Sequence, residues 1–145
     1  MPAEPVFIDT NVLIYATRRT ASEHAAAQAA LARLEGEGRG LWISLQILRE
    51  YLAAVTRPQA TAPALPTATA IADVRRFQRV FRVAEDRPAV LDRLLELLGT
   101  RYGAGRQVHD TNIVATMLEH DIHHLLTFNA SDFGRFAGII ELEPP

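Results

Sequence analysis

The sequence predicts a protein of the α/β layered class, in which a parallel sheet carries helices on both faces. Short apolar runs, typical of buried strands, alternate along the chain with longer Ala-rich or amphipathic segments, typical of helices. The chain has 145 residues, 48% hydrophobic and 22% charged, which fits one globular domain with a hydrophobic core. We therefore expect a single domain over residues 1–145, with its functional side chains at the carboxyl ends of the strands.

The first half of the chain is predicted to hold two strands and three helices. A strand is expected at residues 5–9, because Val6, Phe7 and Ile8 form a continuous apolar run. Ser44 is a plausible N-cap for a helix with one apolar stripe. The remaining elements are a short helix at 11–16, an Ala-rich helix at 21–35 closed by glycines, a brief strand at 41–43 and the helix that runs from Ser44 to about Thr56.

The second half begins with a Pro-rich stretch, RPQATAPALPTATA, that is predicted to be a surface loop because too little chain flanks it for two cores. Pro88 lies where the first turn of a Leu-rich helix is expected. Helices are predicted at 69–81, 89–102 and 109–120, and strands at FRVAE, HHLLTF and GIIELE.

Composition excludes several kinds of chemistry. Cysteine is absent, so there is no disulfide framework and no thiolate zinc site, and all fifteen basic residues are Arg, so Schiff-base chemistry is excluded. The net charge of -2 predicts that any nucleic-acid binding depends on local basic patches. The apolar stretches are too short to span a membrane and the N-terminus lacks a secretory signal, so we expect a cytoplasmic protein.

Four acidic residues lie at junctions between apolar strands and helices, or on a helix face turned away from the core. Asp9 follows the first strand, Glu50 lies opposite the apolar stripe of its helix, and Asp110 lies at the start of its helix. Asp132 follows the strand LLTF, with Asn129 nearby as a neutral oxygen ligand. The tripeptide Asp-Thr-Asn at position 9 is repeated at position 110.

Each acid alone has a structural explanation, such as helix capping or a solvated surface, but together they indicate a site. Carboxylates that converge at one sheet edge repel each other unless a cation neutralises them. Oxygen ligands without cysteine suit a hard divalent cation, Mg²⁺ or Mn²⁺, and either one or two ions are compatible with four carboxylates.

Three stretches, FIDTNVLIYA, ISLQILREYL and HDTNIVATMLEHDIHHLLTFNASDF, resemble the PIN-domain nucleases, and most closely the VapC-like toxins of bacterial toxin–antitoxin pairs. The resemblance implies a three-layer α/β/α fold with a short, mostly parallel central sheet. It also implies a Mg²⁺- or Mn²⁺-dependent endoribonuclease that hydrolyses RNA with a metal-activated water and leaves a 5′-phosphate and a 3′-hydroxyl. The partners it implies are the RNA substrate, a small inhibitory antitoxin and a second copy of the chain in a homodimer.

The resemblance also assigns roles to residues. Asp9 and Asp110 correspond to the principal metal ligands, and Glu50 and Asp132 complete the acidic cluster. Asn129 stands where many PIN domains place an acid, so Asn129 and Asp132 remain alternatives, and charge favours Asp132. Supporting polar contacts are expected from Thr10, Asn11, Ser44 and Thr127.

Two other functions are compatible with parts of the pattern. A PIN-like module that serves only as a metal- or RNA-binding scaffold would keep the same acids. An aspartyl phosphohydrolase would need a second Asp two residues after Asp9, where Asn11 stands instead.

Basic residues near an acidic cluster would be needed to bind an RNA backbone. Arg75, Arg79 and Arg82 are predicted to share one face of the helix at 69–81, with Arg76 beside them, and Arg49 is a further candidate. A solvated face explains the same pattern. Four histidines suggest zinc only weakly, since two of them alternate on a predicted strand; they are His109, His120, His123 and His124, the first of which is also a candidate substrate contact.

Overall fold

The computed structural model describes residues 3–60, 62–100 and 103–145, and these residues form a five-stranded sheet in the order β3-β2-β1-β4-β5. Every pairing between neighbouring strands is parallel, as the alternation of strands and helices predicts. The strands are β1 (Val6–Ile8), β2 (Leu41–Ser44), β3 (Arg82–Ala84), β4 (His124–Leu126) and β5 (Glu141–Glu143).

Helices cover both faces of the sheet and complete the three-layer α/β/α architecture. Helix α1 packs against α2 and α3, and α3 packs against α4, whereas α5 and α6 pack extensively against each other. The helices are α1 (Thr10–Thr17), α2 (His24–Gly36), α3 (Leu45–Val55), α4 (Thr67–Val80), α5 (Pro88–Gly99), α6 (Gln107–Glu119) and α7 (Ala130–Phe133), followed by a 3-10 turn at Gly134–Phe136.

One continuous hydrophobic core lies between these layers, and the central strand β1 is completely buried in it. Among the described residues Tyr51 of α3 is the largest fully buried side chain, and it packs edge-to-face against Phe77 at a centroid distance of 4.9 Å. Its hydroxyl donates to Asp73 at 2.6 Å. Burial, and then the bond to Asp73, raise the pKa of Tyr51 far above its usual range, so this buried hydroxyl stays protonated.

Several boundaries differ from those predicted by the sequence. Helix α4 ends at Val80, so Arg82 lies on β3 and not on the helix face predicted to hold it. Helix α6 begins at Gln107, two residues early. Helix α5 ends at Gly99, while its predicted end at Tyr102 lies outside the described residues. Helix α7 and the 3-10 turn are too short to carry a periodic signal and were not predicted.

In the part of the chain that the structure describes, every helix is too short or too polar to cross a lipid bilayer.

Candidate functional site

Asp9 lies at the carboxyl edge of the sheet, next to the end of the neighbouring strand. Strands β1 and β4 are paired in register, with Ile8 opposite Leu126, so Asp9 and Thr127 both emerge at the same edge. The backbone N–H of Asp9 donates to the carbonyl of Leu126 at 3.0 Å, which continues the strand pairing by one residue. Asp9 is also the N-cap of α1, because its carboxylate accepts the N–H of Thr10.

The Asp9 carboxylate is buried, and each of its oxygens has a defined partner. Oδ1 accepts the N–H of Thr10 at 2.7 Å, and Oδ2 accepts the Thr127 hydroxyl at 2.8 Å and the Asn11 amide at 3.4 Å. Burial is the largest influence on the pKa of Asp9 and, with the repulsion from Glu50 and Asp110, raises it to about 6. The bonds from Thr127 and Thr10 only partly offset this rise, so Asp9 is ionised at a cost that a nearby cation would remove.

Glu50 joins this group from α3. Its Oε2 accepts the Thr10 hydroxyl at 2.7 Å, which links it to the residue next to Asp9. Its Oε1 accepts the Gln46 amide at 2.9 Å. The position of Glu50 on its helix allowed its side chain to face either bulk solvent or a cleft beside the sheet. In the structure it faces the acid cluster.

Gln46 is a site residue that the sequence analysis did not identify. Besides Glu50, its amide nitrogen donates to the carbonyl of His109 at 2.9 Å, and its oxygen accepts from the Asn112 amide at 2.7 Å. Gln46 therefore connects α3, which carries Glu50, with the first turns of α6, which carry Asp110. It lies one helical turn before Glu50, and that spacing was the signal available in the sequence.

Asp110 is the fourth residue of α6 and is half-buried beside the other acids. Burial raises its pKa, and the charges of Asp132 and then Glu50 raise it further. Arg135 is the main influence in the opposite direction. Asp132 itself is exposed on α7, but it is close enough to Asp110 to act on it.

Arg135 is a second residue that the sequence analysis did not identify. Its guanidinium lies over the Phe136 ring at 4.6 Å and donates to the carbonyls of Asp132 at 2.6 Å and Gln107 at 3.3 Å. It therefore joins α7 to the start of α6 and places a positive charge beside Asp110. Its position three residues after Asp132 was the only hint in the sequence.

The two Asp-Thr-Asn tripeptides are not structurally equivalent, although their repetition pointed to the site. Asp9 caps α1, and Asn11 reaches across to Thr127 and to the N–H of Phe128. Asp110 lies inside α6, and the Asn112 amide donates to Gln46 instead.

Other predicted residues lie in different positions. The Ser44 hydroxyl caps α3 by accepting from the N–H of Ile47, and Asn129 is exposed at the start of α7. Arg82 begins β3 and pairs with Trp42, at the edge of the sheet opposite to Asp9, and Arg79 lies just before it. Arg49 is exposed on α3 beside Glu50.

The donor chemistry of the cluster suits a divalent metal ion. Carboxylate oxygens with hydroxyl and amide neighbours are the ligands that Mg²⁺ and Mn²⁺ prefer, and a bound cation would relieve the repulsion of Asp9 by Glu50 and Asp110. Among the described residues, no group of three or more His, Asp or Glu side chains is arranged to hold an ion directly. The histidines do not add a ligand to this cluster. His124, for example, is hydrogen-bonded to Glu4 and Glu143 at the other edge of the sheet.

A parallel α/β/α sheet with acids gathered at its carboxyl edge defines the class of protein to which this chain belongs. Residues 6–139 match the sequence profile described as PIN domain, and the chain is a member of that family.

The proteins similar to this chain include a ribonuclease, a toxin and a toxin–antitoxin complex. The chain is 29% identical over 134 residues to "Ribonuclease VapC24" of Mycobacterium tuberculosis, which covers 89% of both chains. The solved structure of M. tuberculosis VapC20, described as a sarcin-ricin loop cleaving toxin, superposes with a TM-score of 0.68 at 21% identity over 96% of this chain and 99% of that one. A toxin–antitoxin complex from Klebsiella pneumoniae gives a TM-score of 0.60 at 23% identity, covering 93% and 95% of the two chains.

Proposed function

We propose that this protein is a metal-dependent endoribonuclease, the toxin of a type II toxin–antitoxin pair, that acts on RNA in the cytoplasm. The observation that carries the proposal is the meeting of acids from three separate segments at one sheet edge, where Asp9, Glu50 and Asp110 act electrostatically on one another. Such an arrangement destabilises the fold, so it is expected where function requires it. Membership of the PIN family and the VapC relatives support the same activity.

The chain provides the groups that RNA hydrolysis needs. Asp9 and Asp110 would hold one or two Mg²⁺ or Mn²⁺ ions, with Glu50 and Asp132 completing the set. When bound, such an ion lowers the pKa of water and stabilises negative charge on the phosphate that is attacked. Thr10 and Thr127 orient Glu50 and Asp9, and the Arg135 guanidinium is placed to attract a phosphate towards the acids.

A cleavage assay with purified protein and labelled single-stranded RNA tests this proposal. Cleavage is expected with Mg²⁺ or Mn²⁺ and should stop when EDTA removes the metal. Cleavage that continues in EDTA would exclude the metal-dependent mechanism. If the protein binds metal but cleaves no RNA, the catalytically silent scaffold becomes the better interpretation.

Replacement of Gln46 by Ala is expected to lower kcat roughly 10- to 100-fold with a smaller change in KM, because Glu50 loses the bond that orients its carboxylate. The matched control is Gln78→Ala, on the exposed side of α4, which should leave kcat unchanged. Single-turnover kinetics and thermal melting of both variants provide the measurement. A Gln46→Ala variant with wild-type kcat would remove Gln46 from the site.

The proposed antitoxin would bind an apolar groove between α1, α2 and α4. The groove has a volume of about 360 Å³ and is lined mainly by apolar side chains, among them Leu13, Leu31, Phe77 and Val80. Val80 is 63% exposed and adds to the apolar surface of this groove. An apolar helix is the partner that fits such a groove.

The proposed homodimer is supported by two further exposed side chains. Leu91 and Leu95 lie one turn apart on α5 and are 56% and 57% exposed.

The toxin role itself is tested by expression in bacteria, where wild type is expected to arrest growth and Asp9→Asn to restore it. Normal growth on expression of folded wild type would count against a toxin.

A further inference from the structure

A cavity lies at the end of α1 that is farther from Asp9, and the proposed function assigns it no role. It has a volume of about 470 Å³, within the range of small-ligand sites. The end of α1, the turn that leads to α2 and part of the loop after α3 form its walls. The side chains that matter for its chemistry are Ile14, Tyr15, Arg18, Ser22, Glu23 and Gln59.

The cavity is connected to the acidic cluster through Tyr15 of α1. Asn11, which contacts Asp9, and Tyr15 are four residues apart and so lie on the same face of the helix, about 6 Å apart along its axis. The Tyr15 ring packs edge-to-face against Phe128, with centroids 5.1 Å apart, and the N–H of Phe128 donates to Asn11 at 3.2 Å. A strand of RNA with a phosphate at Asp9 would therefore pass Tyr15 with an adjacent nucleotide.

The lining of the cavity suits a base and not a phosphate. Arg18 and Glu23 bring opposite charges, so the cavity offers no net attraction for an anion. Tyr15 is only partly buried and lines the cavity, so its ring can contact a base. The Gln59 amide nitrogen donates to the carbonyl of Ala54, which leaves its oxygen as an acceptor for base N–H groups.

Arg18 fixes the shape of this cavity. Its guanidinium donates to the carbonyls of Pro63 at 3.3 Å and Val55 at 3.4 Å, which ties the loop after α3 to the end of α1. Its buried Nε–H has no acceptor among the described residues. This nitrogen is enclosed by protein, so Arg18 acts on the cavity by holding its walls together and not by binding the base.

We propose that this cavity receives one nucleobase of single-stranded RNA, next to the phosphate that is cleaved, and so contributes to the sequence preference of the enzyme. The proposal rests on the proposed ribonuclease function. Stacking on one aromatic side chain is sequence-tolerant by itself, and the polar groups of the wall would supply the discrimination between bases.

The test is to sequence the cut ends that each variant produces from a short single-stranded RNA pool of random sequence. Wild type is expected to show a base preference at one position beside the cut. Tyr15→Ala should lose that preference and raise KM roughly 10-fold or more, while Tyr15→Phe, which keeps the ring, should retain both. Gln59→Ala should change which base is preferred, and Gln78→Ala, on the exposed side of α4, should match wild type.

Unchanged base profiles in both Tyr15→Ala and Gln59→Ala would overturn the proposal, as would a wild type without any preference. If thermal melting shows that Tyr15→Ala does not fold, the base profile of Gln59→Ala alone tests the proposal. If wild type cleaves no RNA, the proposed function fails, and fluorescence anisotropy with the same RNA pool then tests the cavity separately. Equal Kd values for wild type and Tyr15→Ala in that measurement would overturn it.

Discussion

Replacement of Asp110 by Asn is expected to lower the rate of RNA cleavage by about 1000-fold or more. Asp110 is half-buried and its pKa is raised by burial and by the charges of Asp132 and Glu50, so its own charge is maintained against an unfavourable environment. Asn has nearly the same shape but cannot balance the positive charge of a metal ion. The loss should therefore fall on kcat and on metal affinity, and not on folding.

The matched control for Asp110→Asn is Asp92→Asn, an exposed acid on α5 that should keep wild-type activity. Initial rates on labelled RNA over a range of Mg²⁺ and Mn²⁺ concentrations measure the effect. Residual cleavage by Asp110→Asn within 10-fold of wild type would show that Asp110 is not a metal ligand. Full activity of Asp110→Asn at high metal concentration would instead show that Asp110 is a metal ligand whose loss can be compensated.

Replacement of Asp9 by Asn is expected to abolish cleavage but to stabilise the folded protein at neutral pH in the presence of EDTA. The folded state raises the pKa of Asp9 from 3.8 to about 6, so it binds the proton more tightly than the unfolded chain. The favourable contribution of the protonated group is therefore present below pH 4 and lost as the pH rises through 6, at a cost of about 3 kcal/mol. Asn does not ionise, but it fits the Thr127 and Asn11 contacts less well, so a gain of about 1–2 kcal/mol is expected.

Urea denaturation of wild type and Asp9→Asn in EDTA measures this effect. The difference in unfolding free energy should be small near pH 4 and grow between pH 4 and pH 7. Mg²⁺ should then raise the melting temperature of wild type much more than that of Asp9→Asn, because ligand binding stabilises the state that binds it. An Asp9→Asn variant less stable than wild type at pH 7 would show that hydrogen bonding, and not the cost of burial, dominates at this position.

The sequence was sufficient for those features that depend on local pattern. The buried run Val6–Ile8, the Ser44 cap and the parallel arrangement all follow from periodicity and capping preferences, and the structure confirms them. Asp9 could be placed at the carboxyl edge because it directly follows a strand. Asp132 is harder to place in this way, because α7 begins two residues before it and turns the chain.

Features that depend on distant parts of the chain could not be predicted. Gln46 bonds Asn112 across 66 residues, and Arg135 bonds Gln107 across 28, and neither pair has a local signal. The expected arginine face does not include Arg82, because α4 ends at Val80, two residues before it, and Arg82 begins β3 instead.

Asp9 directly follows β1, caps α1 and supplies charge to the cluster, and this combination has a genetic consequence. Asn is also a favourable N-cap, so a single change from Asp to Asn removes the charge without opening the helix. Colonies that survive forced expression of an unrestrained toxin should therefore carry this change often, with full-length protein still present. Escape mutations at Asp132 should be rarer, because Asp132 is exposed at the rim of the cluster and its loss should leave more cleavage activity. The spectrum of escape mutants would thus rank the four acids by their contribution.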